Sequence, residues 1–88
     1  MKEFIGIVHQ DEGSALGIHF PDVPGCVSSA DALDDLSANA QEALALHFED
    51  TKMVTPRTLS EIEKDPAVAA ELAEGGVLMA IPLMELSG

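Results

Sequence analysis

A chain of 88 residues makes one small domain, which on folding buries only about two-thirds of the surface its unfolded chain exposes, so a second domain is excluded and association is a natural way to cover the rest. Sixteen acidic against four basic side chains give a net charge of −12, which repels phosphate backbones, excludes direct nucleic-acid binding by this chain and attracts cationic partners. Cys26 is the only cysteine and cannot form an intrachain disulfide, MKEFIGIVHQ is broken by charge too early for a signal peptide, and no stretch approaches the roughly 20 apolar residues of a membrane helix, so the expectation is a soluble cytoplasmic protein.

Residues 2 to 9 and 14 to 20 are two strand candidates, joined by Gln10-Asp11-Glu12-Gly13, a glycine-containing loop of hairpin type. That loop places Ile5 opposite Ile18 and Ile7 opposite Leu16, a core face, and leaves Phe4, Gly6, Val8, Gly17 and His19 on the other face with Gly6 directly across from Gly17. The second face is shallow and partly apolar. It reads either as a surface for a partner or a second copy of the chain, or as a thin solvated sheet face.

Phe20-Pro21-Asp22-Val23-Pro24-Gly25-Cys26 is a corner, with Pro24-Gly25 suited to the central positions of a type II turn. Residues 27 to 30 follow as a short third strand. Asp31 then reads as the N-cap of a helix with Asp34 at its third position. Leu33, Leu36, Ala40, Ala43, Leu44, His47 and Phe48 fall on one broad stripe, expected to cover the Ile5/Ile7/Leu16/Ile18 face. Asp34, Asp35, Ala38, Gln41, Glu42, Ala45 and Glu49 form a second stripe, acidic and without lysine.

Pro56 can open a short helical segment through Leu59 and Ile62, and Asp65-Pro66 is a second start signal, leading into residues 67 to 73 before Gly75-Gly76 stops the helix. Residues 77 to 84 are a fourth strand candidate, apolar enough to be buried on both faces although Pro82 denies the ladder one donor. A helical connection ahead of it predicts a right-handed crossover, with the fourth strand parallel to the first and a sheet ordered 3-2-1-4.

The chemistry-bearing residues form no recognised catalytic set. In this register His9 and His19 stand at opposite ends of the hairpin, roughly 15 Å or more apart, too far to share an ion. His47 lies on the apolar face of the helix, where a hydrogen-bonded boundary histidine is the usual role. No lysine or arginine near Cys26 lowers its pKa, so a buried, inert thiol is expected. The glycines cradle no phosphate and the serines form no nucleophile elbow. Three strands, a helix and a strand also open the ribonuclease H fold, but Phe4-Ile5-Gly6-Ile7 carries no acid and the fourth strand has none before Glu85, so the metal-binding carboxylates of that chemistry are missing.

The FPDVPGC corner (Phe20 to Cys26) followed by Asn39-Ala40-Gln41-Glu42-Ala43-Leu44 on the helix, after an apolar hairpin, resembles the N-terminal domain of the HicB-like antitoxins of bacterial and archaeal toxin-antitoxin pairs. The resemblance covers essentially the whole chain. It implies a partial ribonuclease H-like α/β (α+β) unit, β-β-β-α-β, and no cofactor. It also implies a partner, a small basic HicA-like mRNA interferase whose RNA cleavage the antitoxin blocks. Ala30-Asp31-Ala32 departs from the family's usual Gly-Asp-Thr or Gly-Asp-Ser. The helix-turn-helix or ribbon-helix-helix module usual in the family is not present in residues 1 to 88, so one toxin-binding domain is expected there, either as a single-domain member or with the DNA-binding module lying beyond Gly88.

The leading reading is therefore a non-enzymatic antitoxin that occludes a cationic toxin through Asp34, Asp35, Glu42 and Glu49. The alternatives are a self-associating structural domain without a toxin, which would use the Gly6/Gly17 face, and a metal-dependent hydrolase. A homo-oligomer, most simply a two-fold dimer, is expected because the domain is small and the fourth strand is apolar.

Overall fold

Five consecutive residues of the first strand, Phe4 to Val8, are buried, so that strand presents apolar side chains to both faces of its sheet and requires cover on both. The computed structural model describes residues 2–10 and 15–83 and supplies that cover. Its elements are β1 (Lys2–Gln10), β2 (Leu16–Phe20), β3 (Val23–Ala30), α1 (Leu33–Asp50), α2 (Leu59–Glu63), α3 (Pro66–Ala73) and β4 (Val77–Leu83). The four strands form one α+β sheet in the order β3, β2, β1, β4. Most of the predicted hairpin loop, together with Met84 and Glu85, lies outside the described residues.

The hairpin register differs from the expected one. Val8 pairs with Ile18, Ile7 with His19 and Gln10 with Leu16. This is an odd-numbered shift, and because strand side chains alternate it turns β2 over relative to β1. Ile18 therefore joins Phe4 and Val8, and His19 joins Ile5 and Ile7. Gly6 does not face Gly17; a Cβ on Gly6 would lie 2.5 Å from Ile18 Cδ1 and 3.1 Å from Phe20 Cε1.

α1 accordingly covers the opposite face from the one predicted. Leu36, Ala40 and Leu44 pack with Phe4, Val8, Ile18, Phe20, Val23, Cys26, Ile81 and Leu83, while Ala43 and Phe48 lie against the edge of this core. Leu33, expected on the apolar stripe, is 52% exposed. The helix N-cap is Ala32, one residue beyond the predicted Asp31, and no side chain caps it; Asp34 and Asp35 instead place their charge in the first turn, where the helix dipole favours it. Ile62 of α2 and Val68 of α3, with Leu72, form a second core on Ile5 and Ile7.

β4 runs antiparallel to β1, with Phe4 opposite Ile81 and Val8 opposite Val77, and this corrects the predicted parallel crossover. β3 ends beside Leu16, and α1 carries the chain back along one face of the sheet. A strand following directly would run parallel to β1. Instead α2 and α3 return along the other face, from Asp22 at one end, where Arg57 is bound, to His9 at the other, where Glu71 is bound. The extra traverse reverses the direction of entry into β4. β4 is an edge strand, half-covered rather than buried on both faces: Ile81 and Leu83 are buried, Val77 and Ala80 exposed.

α3 starts where the sequence predicts, at Asp65-Pro66, whereas α2 starts at Leu59 rather than at the predicted Pro56. Thr58 and Glu61 form a reciprocal capping box, and Asp65 accepts from the Ala67 N–H at 2.9 Å ahead of Pro66. Gly75 ends α3 with φ +105°. The corner also behaves as glycine requires, with φ +89° at Gly25, but β3 is longer than predicted: Phe20 pairs with Val23 and His19 with Val27, so Pro24, Gly25 and Cys26 occupy a bulge inside the strand. Among the described residues, no helix is long and apolar enough to cross a membrane.

Candidate functional site

Packing of one stripe of α1 on the sheet turns the other outward. Asp34, Asp35, Glu42 and Glu49 are all exposed, and the eighteen-residue helix contains no lysine or arginine; His47 is the basic residue of its last turn. The sequence places these four carboxylates on one side, and the structure keeps them there, on the outer surface. Asn39 Nδ2 donates to the Ser29 carbonyl at 2.9 Å and ties the middle of α1 to β3. Next to that bond, Ser28, Asn39, Glu42, Ala43 and Leu46 line a shallow cleft of about 270 Å³, and Leu46 is 56% exposed. A carboxylate beside an accessible leucine suits a basic side chain with an aliphatic stem.

The other predicted surface is not a surface. Phe4, Gly6 and Val8 are buried beneath α1, because the register brings Ile18 and Phe20 to their side. Gly17 and His19 are half-buried, and His19 faces the opposite layer. An apolar cleft of about 460 Å³ does open at the end of the sheet between β4 and α1, lined by Val8, Leu16, Leu33, Val77 and Met79 among others.

A cluster that the predicted register forbids lies on the Ile5/Ile7 face. His9 pairs with Gly17 and Ile7 with His19, so the two histidines are diagonal neighbours on one side of the hairpin, not at its opposite ends. Their rings are 5.6 Å apart between centroids, with 10° between planes. His9 Nε2 lies 3.0 Å and His19 Nε2 2.6 Å from the same oxygen, Oε1 of Glu71 on α3. Burial pushes the Glu71 carboxyl up, but the hydrogen bonds from His19 and His9 outweigh it and hold the group below the usual glutamate range. The ligand-type atoms of the three residues all lie within 4.8 Å of one another. Sequence reasoning missed Glu71, which is 62 and 52 residues from the histidines it joins.

Cys26 is buried, and burial pushes its thiol up, away from nucleophilic use. His47 is half-buried at the helix boundary, edge-on to Phe48 with 5.1 Å between ring centroids.

Comparison with known proteins matches residues 4–83 to the family described as "HicB_like antitoxin of bacterial toxin-antitoxin system". Among solved structures, the N-terminal domain of the Burkholderia pseudomallei antitoxin HicB is 30% identical with a TM-score of 0.75, over 94% of this chain and 99% of that one. The longer Burkholderia pseudomallei HicB antitoxin is 29% identical with a TM-score of 0.72; 94% of this chain is covered, but only 64% of that chain. A chain of the HicA3 and HicB3 toxin-antitoxin complex shares the fold, with a TM-score of 0.77 at 24% identity over 94% of this chain and 99% of that one. A search of the curated proteins finds no match. With residues 4–83 matched by the family and a solved relative 30% identical over nearly its whole length, the chain belongs to the HicB-like antitoxins of bacterial toxin-antitoxin systems.

Proposed function

We propose that this chain binds a small, basic, mRNA-cleaving toxin of HicA type and neutralises it by covering the surface the toxin uses for RNA. The observation that carries this reading is the outer face of α1, where Asp34, Asp35, Glu42 and Glu49 are exposed on a helix devoid of lysine and arginine. A helix face that serves only solubility commonly mixes signs, whereas a single-sign face on a chain of −12 suits capture of a cationic partner. A chain of the HicA3 and HicB3 complex has the same fold, which supports a toxin as the partner.

The chain itself binds no nucleic acid and cleaves none. Of its four fixed cations, Arg57 is committed to Asp22 and Asp65, and the others, Lys2, Lys52 and Lys64, are scattered over the fold. Self-association accompanies toxin binding in this reading: β4 is an apolar edge strand, and Val77 at its start is 61% exposed. Co-expression with a small, basic HicA-type toxin, sought first as a short reading frame beside this gene, tests the proposal. A stable complex and relief of growth arrest are expected. Unrelieved arrest without a complex returns the chain to a self-associating domain without a toxin.

A further inference from the structure

We propose that His9, His19 and Glu71 form a binding site for one divalent transition-metal ion, with zinc the best match, clipping α3 to the β1–β2 hairpin. The three side chains come from three separate elements, yet both imidazole Nε2 atoms converge on one carboxylate oxygen, at 3.0 and 2.6 Å. Two imidazoles and one carboxylate are a ligand set that zinc accepts with a fourth position left to water, at metal–ligand distances of about 2.0–2.2 Å. With all donor atoms within 4.8 Å of each other, an ion can enter between them by small side-chain rotations. The donors are also reachable, since the three side chains are 36%, 37% and 30% exposed.

The surroundings hold the donors in place. Pairing within the sheet fixes the backbones of His9 and His19. Glu71 sits in the last turn of α3, where its carbonyl accepts from the Glu74 N–H at 3.1 Å and the Gly76 N–H at 3.0 Å. Gly76 belongs to the same device: a Cβ there would lie 3.0 Å from the Glu71 carbonyl oxygen and 3.1 Å from His9 Cε1, forcing the helix end and the ring apart. The net charge of −12 raises the local concentration of cations around such a site. This set is distinct from a ribonuclease H constellation, which uses carboxylates that the chain lacks, and the inference does not depend on the antitoxin reading.

The test is calorimetric titration of the chelator-treated chain with zinc chloride, together with the ring-proton NMR signals of its three histidines. The expected result is one zinc per chain, a rise in Tm with zinc, and perturbation of the His9 and His19 signals but not those of His47. His9→Gln, His19→Gln and Glu71→Gln should each weaken binding by more than about tenfold, and His47→Gln should leave it unchanged. Cobalt(II) added to the wild-type chain should give the intense visible bands of a low-symmetry four-coordinate site. Absence of saturable binding, binding that perturbs only His47, or affinity retained in a folded His9→Gln/His19→Gln double variant overturns the proposal. The NMR measurement on the wild-type chain decides the matter even where a variant fails to fold.

Discussion

Arg57 holds Asp22 twice: its backbone N–H donates to Oδ2 at 2.7 Å and its Nε–H to Oδ1 at 2.6 Å. The same guanidinium reaches Asp65 Oδ2 at 3.1 Å, so one side chain joins the β2–β3 turn to the N-cap of α3. These contacts lie where the chain, having descended along α1, turns under the sheet to build its second layer. Charge-assisted contacts of this kind are stronger than neutral ones, here with the guanidinium shared between two carboxylates. Asp22→Ala should lower Tm more than Arg57→Lys, since it removes the acceptors of both bonds while the lysine variant keeps the backbone bond. In a double-mutant cycle, Asp22→Ala and Arg57→Ala should cost less together than the sum of the two. Strict additivity in thermal unfolding would show that the pair contributes nothing jointly.

Gly6 marks the tightest approach in the main core. A methyl group at this position would meet Ile18 Cδ1 at 2.5 Å and Cγ1 at 2.7 Å. Gly6→Ala should therefore destabilise by about 1–3 kcal/mol through overpacking. Ile18→Val, which removes the nearest of these atoms, should cost about 0.5–1.5 kcal/mol alone but less in the Gly6→Ala background. Denaturant unfolding of the four proteins measures this coupling.

Gly6 also shows why the sequence under-determined the sheet. Register is read from which face is apolar, but Phe4, Ile5, Ile7 and Val8 are all buried, so β1 carries no preference for either partner arrangement. The loop length was then the remaining guide, and an odd-numbered difference there reversed the layer of every β2 side chain. From that single slip follow the misplaced α1, the supposed Gly6/Gly17 surface and the supposed separation of His9 from His19. The sheet order holds although the parallel crossover from which it is argued does not, and α2 opens at the Thr58–Glu61 capping box rather than at Pro56. The start and end of α3 were legible because they rest on local chemistry, Asp65 before Pro66 and Gly75 after Ala73. The acidic face of α1 was legible for the same reason, since helical periodicity sets it without tertiary information. Glu71 was not, because only the packing of α3 on the sheet brings it to the histidines.

The second layer is as structural as the first. Ile62 is fully buried against Ile5 and Ile7, just as Leu44 is buried on the other side of the sheet. Ile62→Ala and Leu44→Ala should each cost about 2–5 kcal/mol in urea unfolding. A small cost for Ile62→Ala alone would mean that α2 and α3 are loosely attached and that the two-layer account of the sheet is wrong.

Acid should weaken the α2–α3 caps. The Ala67 N–H first, and Arg57 second, hold the Asp65 carboxyl below the usual aspartate range. The backbone N–H and then the side chain of Thr58 do the same for Glu61. Both groups have folded-state pKa values below their unfolded ones, so their stabilisation is complete above about pH 4.5 and is lost as pH falls through the folded values. Relief of self-repulsion in so acidic a chain acts in the opposite direction. The informative quantity is thus the difference in Tm between the wild-type chain and Asp65→Asn/Glu61→Gln, which should shrink from pH 6 to about pH 2. A difference independent of pH would remove the caps from the acid response.

The acidic face of α1 makes a kinetic prediction that net charge alone does not. Glu42→Lys/Glu49→Lys reverses two charges on that face, while Glu3→Lys/Glu63→Lys makes the same change in net charge at exposed positions off α1. If the basic toxin docks on α1, the first variant should associate about tenfold or more slowly at low salt and the second should change little. At about 0.15 M salt the Debye length falls to about 8 Å from about 30 Å at 0.01 M, so the long-range part of the deficit should largely disappear while any loss of contacts at Glu42 persists as faster dissociation. Stopped-flow association across this salt range separates the two effects. Equal slowing by both variants would reduce the face to its share of the −12 and leave the docking surface elsewhere on the molecule.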